Sequence, residues 1–159
     1  MEIRPLGNSG LQVSRLCYGT LTLGPVQANL PVEEGGALLA YAISRGVNFC
    51  DTAQLYHTYP YIREGMRRSG KYDLVVASKT YAYNRELAQA AVEEARRELD
   101  RDYIDLFMLH EQESEHTLRG HKEALDYFYE CKEKGIIRAV GISTHAVAAV
   151  KGATKFGLD

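Results

Sequence analysis

The chain has 159 residues, with 19 basic and 21 acidic side chains and a formal net charge of -2. Hydrophobic residues make up 45% and charged residues 25%, which is the balance of an ordinary globular protein and excludes a disordered chain or a generic nucleic-acid binder. No apolar run is long enough to cross a bilayer, and the first residues lack the layout of a secretory signal. We therefore expect one domain over residues 1–159, with neither nucleic acid nor membrane as a partner.

The cysteines and the common ligand motifs narrow the chemistry further. Cys17, Cys50 and Cys131 are odd in number and show no CxxC spacing, so we expect neither a disulfide framework nor a zinc site. A reducing, cytoplasmic location fits this pattern best. The sequence has no HExxH, P-loop or GxGxxG motif, and we expect no metal site.

The chain opens with a predicted β-hairpin, in which residues 3–6 and 11–13 flank a glycine-rich turn. Five short apolar runs follow, and each precedes a longer stretch with helical periodicity. Near-continuous apolar runs indicate strands buried on both faces, as in a parallel sheet covered by helices. The predicted strands are residues 15–19, 47–50, 74–77, 104–109 and 137–142.

Several helical stretches carry start and stop signals. The stretches 32–45, 121–134 and 146–156 each stop at a glycine (Gly46, Gly135 and Gly157), where a left-handed C-cap is needed. Asn84 is a predicted N-cap, and one apolar stripe follows it at every fourth residue. The predicted stripe consists of Leu87, Ala91, Ala95 and Leu99.

A hairpin followed by five β-α units predicts a parallel α/β fold with right-handed crossovers. An open doubly wound sheet and a (β/α)8 barrel both fit this order. A complete barrel typically needs ~250 residues. In the second case the chain would form an incomplete (β/α)8 TIM barrel, with an N-terminal β-hairpin and about five βα units.

Polar side chains follow four of the predicted strands, where ligands bind in parallel α/β folds. In chain order these are Asp51 with Tyr56 close behind it, Lys79, His110, and Ser143 with Thr144. Each residue type alone has an ordinary structural role, because Asp, Ser and Thr cap helices, Lys is solvated in loops and His packs with a hydrogen bond. Their joint occurrence at adjacent strand ends is what indicates a functional site.

This set of groups fits the protonation of a carbonyl oxygen while a hydride arrives at its carbon. A phenol titrates near ~10 and is a poor proton donor at neutral pH. We expect the Lys79 ammonium to lower the pKa of Tyr56, and Asp51 to keep the lysine charged and oriented. A neutral His110 imidazole would hold the carbonyl oxygen near the phenol. The hydride must come from a cofactor, because no side chain supplies one.

Six segments carry a family resemblance in order and spacing. They are RPLGNSGLQVS at 4–14, YGT at 18–20, DTAQLY at 51–56, SKT at 78–80, LH at 109–110 and GIS at 141–143. Together they resemble the aldo-keto reductase family, over the whole chain but only the amino-terminal part of the family's barrel. The resemblance implies a (β/α)8 barrel that reduces aldehydes and ketones with NADPH.

The resemblance also implies roles for individual residues. Tyr56 would be the proton donor, Lys79 and Asp51 would tune it, and His110 would orient the carbonyl of a small-molecule substrate. The family usually continues after the tyrosine with Gly and a Ser-Glu pair, whereas this chain continues with His57 and a different loop.

For the cofactor, the resemblance implies NADP(H). Ser143 would contact the nicotinamide carboxamide, and Thr144 stands where many members have Asn. The residues beside the nicotinamide ribose would be Gly19, Thr20 and Asp51. Residues 137–145 further resemble a branch with a ferredoxin-like carboxy-terminal extension, but none of that extension is present, so we expect no iron–sulfur cluster in this chain.

Two alternatives to the reductase stay open. Lys79 at a barrel strand end is also the residue that a Schiff-base lyase would use. The fold could also be kept by a non-catalytic regulatory or interaction subunit. Five strands cannot close a barrel, so we expect self-association or a complementing fragment, and weak turnover by a truncated domain alone.

Overall fold

The predicted hairpin forms the amino-terminal end of the protein, whose computed structural model describes residues 1–159. Strand β1 (Ile3–Pro5) pairs antiparallel with β2 (Gln12–Ser14). The turn between them contains Gly7 and Gly10, whose φ angles of 53° and 74° are in the region that favours glycine. The hairpin prediction is confirmed.

A five-stranded parallel sheet follows the hairpin. Its strands are β3 (Tyr18–Gly19), β4 (Phe49–Asp51), β5 (Val75–Thr80), β6 (Ile104–Leu109) and β7 (Ile137–Ile142). Each strand pairs with its neighbours in the chain, in the order β3-β4-β5-β6-β7. A doubly wound sheet would reverse this order at a switch point. The sheet is therefore the partial barrel, and β3 is shorter than the predicted strand 15–19.

Helices cover one face of the sheet. They are α1 (Val32–Ser44), α2 (Tyr59–Ser69), α3 (Arg85–Leu99), α4 (Glu115–Gly120), α5 (Lys122–Glu133) and α6 (Val147–Ala153). The predicted stop signals at Gly46 and Gly135 are confirmed by their positive φ angles, whereas α6 ends at Ala153, before the predicted stop at Gly157. No helix combines the length and the apolar character needed to span a membrane.

Two apolar clusters hold the sheet in place. The larger lies between the sheet and the helices, where the rings of Phe107 and Phe128 meet edge to face with centroids 5.1 Å apart. Burying one such ring contributes about 2–3 kcal/mol. The smaller cluster lies on the inner face and brings the hairpin against the sheet. Its buried members are Leu11, Val13, Val75 and Ala139.

Two sequence predictions about side chains are wrong. Leu87 is 45% exposed, because the buried face of α3 runs through Ala88, Ala91 and Ala95 and the first helical turn leaves Leu87 outside it. The sequence predicts a solvated acidic loop of Glu111, Glu113 and Glu115, but Glu115 instead opens helix α4 and forms an ion pair with Lys155 at 2.6 Å.

Candidate active site

The carboxyl ends of β4, β5 and β6 bring three of the predicted site residues to one edge of the sheet. Asp51 is the last residue of β4, Lys79 lies one residue before the end of β5, and His110 follows β6 directly. Tyr56 ends a short 3-10 turn, Gln54–Tyr56, in the loop after β4. Because neighbouring parallel strands end on the same side, the four side chains converge.

Lys79 is buried and ion-paired. Its ammonium donates to both carboxylate oxygens of Asp51, at 2.8 and 2.7 Å, and to the carbonyl oxygen of Thr52 at 2.7 Å. The Lys79 side chain is 7% exposed and that of Asp51 35% exposed. An ammonium has three protons to donate. All three are taken by this pairing.

Tyr56 contacts His110 through its hydroxyl. The Tyr56 hydroxyl oxygen lies 3.4 Å from Nε2 of His110, and the two rings meet edge-on with centroids 5.6 Å apart. The ammonium of Lys79 lies 5.1 Å from the centroid of the Tyr56 ring. A phenol, an imidazole, an ammonium and a carboxylate thus share one small region.

The expected lowering of the Tyr56 pKa is not found. Burial raises the pKa of Tyr56, and the negative charges of Asp51 and Glu111 raise it further. The physical reason is the pairing of Lys79. Its charge is cancelled by Asp51 and its protons point to other acceptors, so it stabilises the phenolate too little to offset the other effects. Tyr56 is therefore a neutral hydrogen-bond donor.

His110 is buried and neutral at pH 7. Burial lowers its pKa, and the nearby Lys79 lowers it further. The ring of Tyr81 stacks on the imidazole at 4.5 Å with a tilt of 23°, which fixes the plane of His110. Nδ1 of His110 is buried without a hydrogen-bond partner. Its Nε2, in contact with Tyr56, is the atom that faces the candidate site.

A chain of three buried threonine hydroxyls supports the loop that carries Tyr56. Thr58 Oγ1 lies 2.8 Å from Thr20 Oγ1 and 2.7 Å from Thr52 Oγ1. Thr20 donates its proton to the carbonyl oxygen of Asp51, at 2.9 Å. A hydroxyl has one proton, so Thr58 must donate to Thr20 and Thr52 to Thr58. This chain of hydroxyls begins at Thr52 Oγ1 and ends at the carbonyl oxygen of Asp51. Other oxygen atoms of the same two residues accept the hydrogen bonds from Lys79.

Three of the predicted cofactor residues have groups free to meet a nicotinamide riboside. A Cβ built on Gly19 would meet nothing within 4 Å, so the backbone there is open. The Asp51 carboxylate is partly exposed and can accept from a ribose hydroxyl. Ser143 Oγ accepts from the backbone N–H of Glu111 at 2.9 Å, which leaves its own proton to donate to a carboxamide. These groups fit the nicotinamide end of NADP(H).

The other two predicted cofactor residues have engaged hydroxyls. Thr20 is fully buried and takes part in the threonine chain. Thr144 Oγ1 accepts from the N–H of Ala146 at 2.8 Å and donates to the Ala146 carbonyl oxygen at 3.2 Å. Thr144 thereby shapes the turn before α6. The structure gives both residues a supporting position.

Sequence reasoning missed Thr58, Tyr81 and Glu111. Thr58 precedes a helix and has the sequence signature of an ordinary cap, and Tyr81 is one of 11 tyrosines. On sequence alone, Glu111 is an ordinary acidic residue of a solvated loop. The one sequence feature that points to Glu111 is its position directly after His110. Its backbone is left-handed, with φ of 49°, but a glutamate in the sequence does not indicate that conformation. No group of three or more His, Cys, Asp or Glu residues could hold a metal ion.

Several known proteins resemble this chain in sequence. A sequence profile of the Aldo/keto reductase family matches residues 15–159. L-galactose dehydrogenase of Arabidopsis thaliana is 26% identical over 154 residues, which are 90% of this chain and 48% of that protein. A probable voltage-gated potassium channel subunit beta of Oryza sativa subsp. japonica is 32% identical over 146 residues, which are 80% of this chain and 44% of that protein.

Solved structures show the same architecture. A putative aldo-keto reductase from Pseudomonas aeruginosa superposes with a TM-score of 0.83 at 26% identity, over 99% of this chain and 64% of that one. The chain spans about half the length of the curated relatives it matches. Since the profile covers nearly the whole chain, the protein belongs to the aldo/keto reductase family.

Proposed function

We propose that this chain carries the proton-donating half of an oxidoreductase that transfers a hydride between NADP(H) and an aldehyde or ketone. The observation that carries the proposal is the hydrogen bond between Tyr56 and the neutral His110, beside the buried pair of Lys79 and Asp51. Family membership supports a nicotinamide-dependent oxidoreductase in general. The substrate and the activity of this chain are part of the proposal.

The residues suggest a division of labour. A carbonyl oxygen placed between the Tyr56 hydroxyl and His110 Nε2 would accept a hydrogen bond from the phenol. NADPH supplies the hydride when it is bound. As the carbonyl carbon gains the hydride, the oxygen gains negative charge and takes the phenolic proton, which yields the alcohol. The phenolate left on Tyr56 would lie beside the Lys79 ammonium, which is 5.1 Å from its ring centroid and paired with Asp51, and would regain a proton from solvent.

The Lys79 geometry does not favour a Schiff-base lyase. That chemistry needs a neutral amine with a free lone pair. Lys79 is held as an ammonium between Asp51 and the Thr52 carbonyl, with every proton in a hydrogen bond.

A non-catalytic subunit is the second candidate. One observation favours it, namely the 32% identity to the rice protein, a probable voltage-gated potassium channel subunit beta. The sheet also has two edge strands, β3 and β7, each of which pairs with only one neighbouring strand. Association with a second copy or with a complementing fragment is part of this proposal. The three free cysteines, of which Cys17 is exposed, fit a cytoplasmic location.

The test is NADPH oxidation with a reactive aldehyde, with NADPH binding followed separately by fluorescence. We expect Tyr56→Phe to lower turnover by about 100-fold or more while NADPH binding is kept. Tyr41→Phe, an exposed tyrosine on α1, is the matched control and should have no effect. Full activity of Tyr56→Phe would refute the proton-donor role, and NADPH binding without any turnover would favour the non-catalytic subunit.

A further inference from the structure

The charges of the candidate site do not cancel. Lys79 and Asp51 neutralise each other, and all three protons of the ammonium are used within the protein. His110 is neutral because it is buried. The site therefore has no free cation with which to bind an anionic substrate. The charged group that remains is Glu111.

Glu111 is held at the rim of the site by two neighbouring loops. Its backbone N–H donates to Ser143 Oγ at 2.9 Å, and its carboxylate accepts a hydrogen bond from the hydroxyl of Tyr81. The backbone adopts a left-handed conformation, with φ of 49°, which glutamate seldom adopts without support from its surroundings. Tyr81 also stacks on His110, so the carboxylate is tied through one side chain to the imidazole.

Other titratable groups near the carboxylate leave its charge in place. The hydrogen bond from Tyr81 lowers the pKa of Glu111, so the carboxylate is ionised at neutral pH. Nε2 of His145 lies 3.8 Å from Oε1 of Glu111, but the His145 side chain is almost fully exposed. The groups that act electrostatically on His110 are Lys79, Glu111, Asp51 and His145. Among them, Lys79, Asp51 and Glu111 together carry one net negative charge.

We propose that Glu111 makes this site select its carbonyl substrates by charge, favouring neutral and ammonium-bearing compounds over those with a carboxylate close to the carbonyl. The inference rests on the proposed function, since it concerns the substrate of the same site. Because the Glu111 side chain is 48% exposed, solvent weakens its field. The expected discrimination is about threefold to tenfold, and added salt should reduce it.

The first test measures the field of Glu111 without any turnover. The titration of His110 is followed by NMR in the wild type and in Glu111→Gln, and the resonance is assigned by its loss in His110→Gln. Removal of a nearby negative charge should lower the pKa of His110. Glu113→Gln is the matched control, since Glu113 is an exposed carboxylate two residues away that does not act on His110. An unchanged titration in Glu111→Gln would overturn the inference.

The second test compares kcat/KM for three benzaldehydes that carry a 4-nitro, a 4-carboxylate or a 4-trimethylammonium group. Intrinsic reactivity cancels when ratios are compared between proteins. Glu111→Gln should raise the carboxylate-to-nitro ratio about threefold to tenfold and lower the ammonium-to-nitro ratio. Glu113→Gln should leave both ratios unchanged. Equal ratios in Glu111→Gln and the wild type would overturn the charge-selection inference and leave the proposed function standing.

Turnover of none of the aldehydes would instead count against the proposed function. In that case, binding of the same three compounds is measured through the His110 resonance. Tighter binding of the ammonium compound than of the carboxylate, with the difference lost in Glu111→Gln, would support charge selection. Equal binding of the two would overturn it.

Discussion

The ammonium nitrogen of Lys79 lies 5.1 Å from the ring centroid of Tyr56, yet none of its hydrogen bonds goes to the Tyr56 hydroxyl. The lysine is committed to Asp51 and Thr52, and the hydrogen-bond partner of the phenol is His110. Any influence of Lys79 on Tyr56 therefore acts through space. The pair of Lys79 and Asp51 has a structural role in addition to any catalytic one.

Replacing Asp51 and replacing Lys79 should lower the free energy of unfolding by different amounts. Asp51→Asn leaves a buried ammonium without its counter-charge, and we expect it to lower the free energy of unfolding by about 2–3 kcal/mol. Lys79→Met leaves a carboxylate that water can reach, so its cost should be about 1 kcal/mol. Urea denaturation of both variants at neutral pH measures the difference. A larger loss of unfolding free energy in Lys79→Met than in Asp51→Asn would contradict the argument that Lys79 is the more buried partner.

The threonine chain gives a second prediction. Thr58→Val removes the acceptor of the buried Thr52 hydroxyl and should lower the free energy of unfolding by about 1–3 kcal/mol. Thr58→Ser keeps the hydroxyl and should cost about 1 kcal/mol for its lost methyl group. If activity is present, it should fall in the valine variant and recover in the serine variant. Equal stability and activity in the two variants would show that the hydroxyl is dispensable.

The stability of the protein should depend on the protonation of His110. Burial lowers the pKa of His110 in the folded state, whereas the unfolded side chain titrates near its ordinary value of 6.5. The unfolded chain therefore takes up the proton first as the pH falls, so this contribution to stability is full above 6.5 and is lost below it.

Urea denaturation at about pH 7.5 and about pH 5.5 measures this change on the two sides of the ordinary histidine pKa. His110→Gln should show a smaller loss between the two conditions than the wild type, since glutamine does not titrate. An equal loss in both proteins would assign the pH dependence to other groups.

Gly24 offers a test of the packing around the Tyr56 loop. A Cβ at this position would lie 2.5 Å from Cγ2 of Thr58 and 2.8 Å from the carbonyl oxygen of Tyr56. Gly24→Ala must therefore displace the loop, at a cost of about 1–3 kcal/mol. Gly120→Ala is the control, because its Cβ would meet nothing within 4 Å. Thermal unfolding should separate the two variants clearly, and similar stabilities would argue against tight packing here.

The open inner face should lead to association. An apolar cavity of about 510 Å³ opens between β6, β7 and the last residues, and its lining includes Leu106, Met108 and Ile142. At the outer edge of β7, the backbone N–H of Val140 donates to the Asp159 carboxylate, and its carbonyl oxygen accepts from the Asp159 N–H. We expect sedimentation equilibrium to show self-association that Met108→Glu weakens. A monomer with a sharp melting transition would contradict this.

Much of the fold and of the site could be predicted, because both depend on short-range patterns. Apolar runs marked the strands, and the residues directly after them, such as Asp51, Lys79 and His110, had to meet once the strands were parallel and adjacent. Tyr56 follows Asp51 closely enough to lie in the same loop.

The remainder depends on partners that are distant in the chain. Burial raises the pKa of Tyr56, and the negative charges of Asp51 and Glu111 from other segments raise it further. Thr58 has the pattern of a helix cap, and its link to Thr20 spans 38 residues. Glu111 needs Tyr81 and Ser143 to hold its position, and no local pattern indicates that contact.

The sequential strand order has a consequence for the growth of the protein on the ribosome. In the parallel sheet, each strand after β3 pairs with the one made just before it, as Asp51 does with Gly19 and Leu109 with Thr80. Every new β-α unit can therefore dock on a sheet that already exists, without waiting for a distant part of the chain. The pocket of Asp51, Tyr56 and Lys79 is complete as soon as β5 is in place, and His110 joins it with the next unit.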